Sequence, residues 1–197
     1  MENTTKSRIL DEALVMFAEN GYRGTNLRDL AARLGLSKSA LYKHYDSKEA
    51  IWNALLDRMI AYYEARFGSS KHLPKQPESG EEMLALSMRM LDFTVHDERI
   101  ILTRKLLLTE QFHDERVCRM ASQYFLYGTQ NMFMIIFEQM MEAGIMKKDD
   151  ANMLAFLYTA PITSLIQLCT REPDKQEEVM QRAEEVFQYF IEKYVIK

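Results

Sequence analysis

The chain has 197 residues, 47% of them apolar and 27% charged, a balance that excludes disordered and collagen-like chains and allows roughly 70% of the unfolded surface to be buried in a core. Seven Gly and four Pro are few for this length, which excludes a many-turned all-β fold and predicts an all-α one built from good helix formers. The net charge is -4, yet residues 23–48 carry six basic side chains against two acidic ones, so selective contact with phosphate at that segment competes with the plain alternative of a solvated charged face.

Thr4 or Thr5 is placed to cap a first helix whose apolar residues Ile9, Ala13, Met16 and Phe17 recur at helical spacing, with Asn20-Gly21 as its left-handed stop. Asp11 and Glu12 interrupt this opening stretch, so no secretion signal is expected and a cytoplasmic protein is. Cys118 and Cys169 match no zinc or CxxC spacing and fit a reducing compartment. Thr25 or Asn26 caps a short second helix, with Leu27, Leu30, Ala31 and Leu34 on one face and Gly35 ending it. Ser37 offers a third cap, for residues 38–44. Asp46-Ser47-Lys48-Glu49 reads as a capping box opening a fourth helix through Ile51, Leu55, Leu56, Met59, Ile60, Tyr63 and Phe67.

The Gly- and Pro-rich stretch 68–80 is the expected boundary. Beyond it, amphipathic stretches near 81–96, 99–111, 114–143, 149–170 and 174–195 predict five more helices, about nine in all. The expected organisation is a domain of three helices over 1–46, a connecting helix over 47–67, and a larger helical domain over 81–197. Residues 151–170 are uncharged, but Asn152, Thr159, Thr163, Ser164, Gln167, Thr170 and Pro161 argue against a membrane span. A helix with no charged face must be buried on most sides. Together with a second stripe, Val179, Ala183, Val186, Phe187, Phe190 and Tyr194, it predicts a homodimer closed by the last two helices of each subunit into a four-helix bundle.

Residues 25–48 have the lengths and turn chemistry of a helix-turn-helix, in which the second helix enters a major groove and the first braces it. Ala31, Ala32 and Ala40 supply small residues for the crossing, and Leu30, Leu34, Leu36 and Leu41 a small core. That leaves Lys38, Ser39, Tyr42, Lys43 and His44 facing outward, with side chains suited to phosphates and base edges. The plain alternative makes Tyr42 and His44 half-buried packing residues with polar tips. Lys48 opens a helix, where positive charge opposes the dipole, an arrangement that makes sense if an anion is shared there.

With these residues in place, the stretch from about Ile9 to Ile51 resembles the tetracycline-repressor (TetR) family of bacterial transcription regulators. The resemblance is carried by ALVMFAENGYRGTNL, LRDLAARLGLS and above all SALYKHYDSKEAI. It departs from the family at Ser39-Ala40, where Gly-Thr is common, and at Tyr45, where Phe is usual. The resemblance implies that Tyr42 and Lys48 grip phosphates and that Ser37, Lys38, Ser39, Lys43 and His44 reach bases or backbone. Thr25, Arg28 and Ala40 complete the candidate DNA contacts. It further implies a ligand-responsive regulator, with a helix-turn-helix DNA-binding domain over 1–46 and a ligand-binding and dimerisation domain over 81–197, a repressor that binds a palindromic double-stranded operator as a dimer and is released by a small-molecule effector.

Twelve of the fourteen Met follow residue 50, interleaved with aromatics, which suits either an adaptable, mostly apolar pocket or an ordinary helical core. Met59, Tyr63, Met88, Phe93, Phe112, Tyr124, Tyr127, Phe137 and Phe156 are the candidate lining, and the fourth helix, from Lys48 to Phe67, is the expected lever between pocket and DNA. Arg89, Arg99, Arg104, Lys105, Arg116 or Arg119 turned inward would instead favour an anion. No nucleotide, protease or hydrolase motif is present. Glu110 and His113 have the Glu-x-x-His spacing of di-iron bundles but lack a second such pair, and with Asp114 and Cys118 they could otherwise be metal ligands on one helix face. No enzyme activity, cofactor or metal is expected. The alternatives are a helical partner-binding protein without DNA contact, or a metal-dependent helical-bundle enzyme.

Overall fold

Most helix starts in the computed structural model fall where short polar side chains accept the first free amides, the helices that begin at Gly128 and Gln176 being exceptions. The described residues, 4–67 and 75–196, form α1 (Thr5–Gly24), α2 (Leu27–Arg33), α3 (Lys38–Tyr42), α4 (Lys48–Phe67), α5 (Gly80–His96), α6 (Glu98–Glu110), α7 (Glu115–Ser122), α8 (Gly128–Glu142), α9 (Ala151–Arg171) and α10 (Gln176–Tyr194). There is no strand among these residues, and one isolated antiparallel bridge joins Met146 to Val195. Thr4, Asn26 and Ser37 cap α1, α2 and α3, accepting the amides of Ser7, Arg28 and Ala40 at 3.2, 2.8 and 3.1 Å. At α4 the cap is Ser47, which accepts the Ala50 amide at 3.0 Å. Ala50 therefore takes the place from which a Glu would close a capping box, and Glu49 falls one residue short.

The expected single helix over 114–143 is α7 and α8 joined by a π-helical turn, Gln123–Tyr127. A Cβ on Gly128 would stand 2.8 Å from the Gln123 carbonyl oxygen, so the wide turn closes on a residue without one. Across from it, the Thr163 hydroxyl of α9 donates to the Phe125 carbonyl at 3.1 Å.

A single cut at 68–80 does not separate the two compact units. One comprises Met1–Arg66 and Leu102–Cys118, the other Phe67–Ile101 and Arg119–Lys197. Residues 68–74 of the expected boundary lie outside the described residues.

In the first unit Ile9, Ala13, Met16 and Phe17 of α1 are buried, as are Leu30, Leu41, Ile51, Leu55 and Leu56. The crossing uses Ala31, whereas Ala32 faces solvent and Leu34 and Leu36 are half-buried, because α2 spans under two turns and offers only one inner edge. Gly21 kinks α1 instead of stopping it. Its backbone adopts φ 71°, ψ 170°, after which the helix resumes to Gly24, and that combination is open essentially to glycine alone.

In the second unit the buried core includes residues of α5, α8, α9 and α10. At its centre the Tyr158 ring lies 4.9 Å from Phe133, 5.5 Å from Phe137, 4.9 Å from Phe187 and 4.7 Å from Phe190, centroid to centroid. The Ser87 hydroxyl donates to the Met83 carbonyl at 2.9 Å, so its 2.7 Å contact with Tyr158 has the phenol as donor. Val179, Ala183, Phe187 and Phe190 of the α10 stripe are spent on this core. Among the described residues, α9 carries an exposed apolar face of Met153, Phe156, Leu157 and Pro161. By length and composition alone α9 could cross a membrane, but its Leu154, Ala155, Tyr158 and Ile162 are buried in the core.

Candidate nucleic-acid interface

The turn from α2 to α3 is fixed by the chain's own amides. Leu36 donates to the Ala31 carbonyl at 2.8 Å, and Gly35 takes φ 67° to let the backbone reverse. One side of the five-residue α3 is anchored by Leu41, fully buried. On the other side Ser37, Lys38, Ser39, Tyr42 and Lys43 are exposed. The Ser37 and Ser39 hydroxyl oxygens are 3.0 Å apart, and the Lys38 ammonium lies 5.8 Å from the Tyr42 ring centroid. Two ammonium groups, a phenol that is 38% exposed and two hydroxyls thus share one short surface. Arg28 is exposed on α2, while Ala40 and His44 are half-buried.

Thr25 stands apart from this group. Its side chain is 3% exposed, and its hydroxyl donates to the carbonyls of Met16 at 3.1 Å and Gly21 at 2.9 Å, so it pins the α1 kink instead of facing outward. Arg33 also turns away, toward Glu12 at 2.9 Å and Glu19 at 3.4 Å on α1. These exposed pairs add little stability but leave Arg33 less free to meet an outside anion.

Lys48 is half-buried at the start of α4, its ammonium 4.5 Å from the centroid of the Tyr22 ring. Burial lowers its pKa, and the nearby Glu110 carboxylate opposes that fall. Tyr22 itself packs against Trp52 at 4.9 Å and Phe17 at 5.8 Å, and Trp52 meets Phe17 edge-on at 5.1 Å. The Tyr22 amide donates to Glu110 Oε1 at 3.0 Å, and the Trp52 indole donates to Asp114 Oδ2 at 3.0 Å. Asp114 Oδ1 accepts the Arg116 and Val117 amides at 2.8 and 3.2 Å, and the Arg116 guanidinium reaches Asp57 at 2.6 Å. Burial alone would raise the Asp114 carboxyl. The indole and amide hydrogen bonds, with the Arg116 charge, outweigh it and hold the group below the usual carboxylate range.

Glu110 and Asp114 are therefore committed to α1 and α4. Among the described residues, no group of three or more His, Cys, Asp or Glu side chains is placed to hold a metal. Of the candidate pocket lining, Met59, Tyr63 and Phe112 belong to the first unit and the others to the second. Phe112 is 84% exposed in the turn after α6, because the helix ends at Glu110 and leaves the ring no inner face. Tyr127 and Phe156 are also exposed, and Phe137 sits in the filled aromatic core with Met88 packed against that core. Met59 is buried in the first unit. Tyr63, Phe93 and Tyr124 are half-buried. Among the six basic residues considered for an anion, Arg104 is 1% exposed and Arg116 is engaged with Asp57.

Residues 9–55 match the model of the bacterial regulatory proteins, tetR family. Over 58 residues the chain is 38% identical to the biofilm operon icaADBC HTH-type negative transcriptional regulator IcaR of Staphylococcus epidermidis, covering 29% of this chain and 31% of that protein. It is 45% identical to IcaR of Staphylococcus aureus over 47 residues, 24% of this chain and 25% of that one. The chain carries a tetR-family segment at residues 9–55. The match spans less than a third of these curated relatives' length, and the residues that the family model covers lie within the segment that carries α1 to α4. The whole chain shares its fold with solved tetR-family structures. A regulator from Chloroflexus aurantiacus has a TM-score of 0.76 at 17% identity, covering 98% of this chain and 97% of that one. The SmeT–triclosan complex has a TM-score of 0.72 at 19% identity, covering 98% and 92%. SmeT is the repressor of the Stenotrophomonas maltophilia multidrug efflux pump SmeDEF.

The sequence reading of this interface omitted Tyr22, Trp52, Glu110 and Asp114. The only local signal was Gly21, read as a helix stop. Their partners lie far away along the chain, Glu110 being 88 residues from Tyr22.

Proposed function

We propose that this tetR-family protein is a ligand-responsive, DNA-binding transcriptional repressor that binds a palindromic operator as a homodimer in the cytoplasm. The observation that carries the reading is the surface of α3, where Lys38, Ser39, Tyr42 and Lys43 are all exposed around a fully buried Leu41. Such a surface brings phosphate-binding cations and base-reading groups to a rigid, braced helix. IcaR is a negative transcriptional regulator and SmeT a repressor, which supports repression, and the triclosan complex of SmeT supports a small-molecule effector. A partner-binding bundle without DNA contact would leave that surface without a use, and retarded migration of duplex DNA by the full chain separates the two.

Lys48 serves phosphate in this reading, whereas Lys43 and Ser39 serve base recognition. Lys48→Ala is expected to weaken binding to all duplexes alike and to lower the magnitude of the salt slope by about one to two for a dimer. Lys43→Ala is expected to relax base preference, at about 1–3 kcal/mol per lost contact. Titration of operator and scrambled duplexes across salt concentrations checks both, and a Lys48→Ala variant with altered preference and an unchanged slope would reverse the assignment.

Dimerisation is assigned to α9 and α10, with the exposed α9 residues Met153, Phe156, Leu157 and Pro161 as its apolar centre and Tyr189, 65% exposed, as the contribution of α10. Leu157→Glu is expected to give a folded monomer in sedimentation, with loss of tight operator binding. A wild-type monomer at micromolar concentration contradicts this assignment.

The effector is proposed to be small and mostly apolar, bound within residues 81–170. It releases DNA only if its affinity differs between the two spacings of the reading heads, since equal affinity for both would shift nothing. Calorimetry against apolar and anionic compounds, followed by DNA release with any ligand found, tests this. Preference for compact anions would reject the apolar class.

A further inference from the structure

We propose that Glu110, the last residue of α6 and outside the helix-turn-helix, is a positioning residue for DNA binding that holds Tyr22 and Lys48 in the geometry needed to meet operator phosphate. The proposal rests on the DNA-binding reading above.

Glu110 is 6% exposed, and a buried carboxylate is costly unless donors and a cation compensate it. The donor is the Tyr22 amide, 3.0 Å from Oε1. Space for the carboxylate exists because residue 21 has no side chain: a Cβ there would stand 2.6 Å from the same Oε1. The kink that follows from the Gly21 backbone therefore turns the Tyr22 amide toward Glu110 at a spot where only glycine admits it. Tyr22 in turn presents its ring to the Lys48 ammonium at 4.5 Å, and is held from its other sides by Phe17 and Trp52. Lys48 opens α4, where the positive end of the helix dipole repels it. The ring face and the nearby carboxylate offset that repulsion, keeping the cation at the helix start where phosphate is met.

A purely structural Glu110 would change stability and leave the contribution of Lys48 untouched. The two roles are separated by a double-mutant cycle on the full chain, using a duplex selected by the wild type, with affinity and salt slope measured for Glu110→Ala and Glu110→Gln in the Lys48 and Lys48→Ala backgrounds. With Lys48 present, Glu110→Ala is expected to weaken binding on the order of tenfold and to flatten the salt slope, a loss comparable to that of one charged contact. With Lys48→Ala the same change is expected to cost less than about twofold. Glu110→Gln keeps an oxygen for the Tyr22 amide but loses the charge, and should fall between wild type and Glu110→Ala. Equal losses in the two backgrounds, or no loss, overturn the proposal. If Glu110→Ala does not fold, Glu110→Gln in both backgrounds decides by the same criterion. A wild type that binds no duplex rejects the DNA-binding reading and the proposal together, whereas wild-type binding with additive losses rejects the positioning role alone.

Discussion

Replacing Gly21 with alanine is expected to destabilise the first unit by roughly 2–5 kcal/mol, the sum of a backbone forced into a glycine-only region and a buried carboxylate pushed off its donor. Both terms meet at one atom. The new Cβ would lie 2.6 Å from Glu110 Oε1, while φ would have to remain at 71°. Gly24→Ala is the control, since a Cβ at that position meets nothing nearer than Asn20 Cβ at 3.4 Å. It is expected to change stability by less than about 1 kcal/mol. Glu110→Ala added to Gly21→Ala should recover the steric share and leave the backbone share. Trp52, the single Trp of the chain, packs against Tyr22 and reports on this region by fluorescence during denaturant unfolding. A Gly21→Ala protein as stable as wild type would show that the kink is not needed to seat Glu110.

Removing the ring at Tyr158 is expected to have an effect of similar size in the second unit. Tyr158→Ala empties a fully buried site between four aromatic neighbours and should cost about 3–5 kcal/mol. Tyr158→Phe keeps the packing and removes the phenol that donates to Ser87. Ser87 still donates to the Met83 carbonyl, so the expected loss is only about 0.5–1.5 kcal/mol. Burial pushes the Tyr158 phenol well above its ordinary pKa, so it remains a neutral donor across the range in which the protein is handled. Calorimetric unfolding of both variants checks the ratio. Equal losses would mean that the hydrogen bond, and not the packed ring, dominates the site.

What the sequence disclosed followed the range of the interaction. The caps of α1, α2 and α3 were legible because Thr4, Asn26 and Ser37 act on amides two or three residues away. The outward placement of Lys38, Ser39, Tyr42 and Lys43 was legible because Leu41 fixes which side of so short a helix is buried, whereas His44, placed outward with them, is half-buried. Thr25 was misplaced because its preference for a cap position looks the same whether the hydroxyl points outward or, as here, back to Met16 and Gly21. The stripe on α10 declared that the helix has an inner face but not whose core it enters, and that core proved to be the chain's own. Among the aromatic residues proposed for a pocket, spacing could not distinguish Phe137 at the centre of the core from Phe112 in an exposed turn. The support of Lys48 was hidden for a different reason, since Glu110 and Asp114 reach Tyr22 and Trp52 across 88 and 62 residues.

The central claim, that α3 reads duplex DNA, is tested most directly by selecting bound duplexes from a random pool with the full chain and footprinting the recovered sequence with wild type and with Lys38→Ala, Tyr42→Ala and Lys43→Ala. The account predicts one palindromic sequence whose half-sites lie about 34–36 Å apart, or a near multiple, centre to centre. It also predicts protection that weakens with salt and is reduced or altered by each of the three substitutions. A recovered pool with no shared sequence, or a footprint indifferent to all three changes, would contradict it.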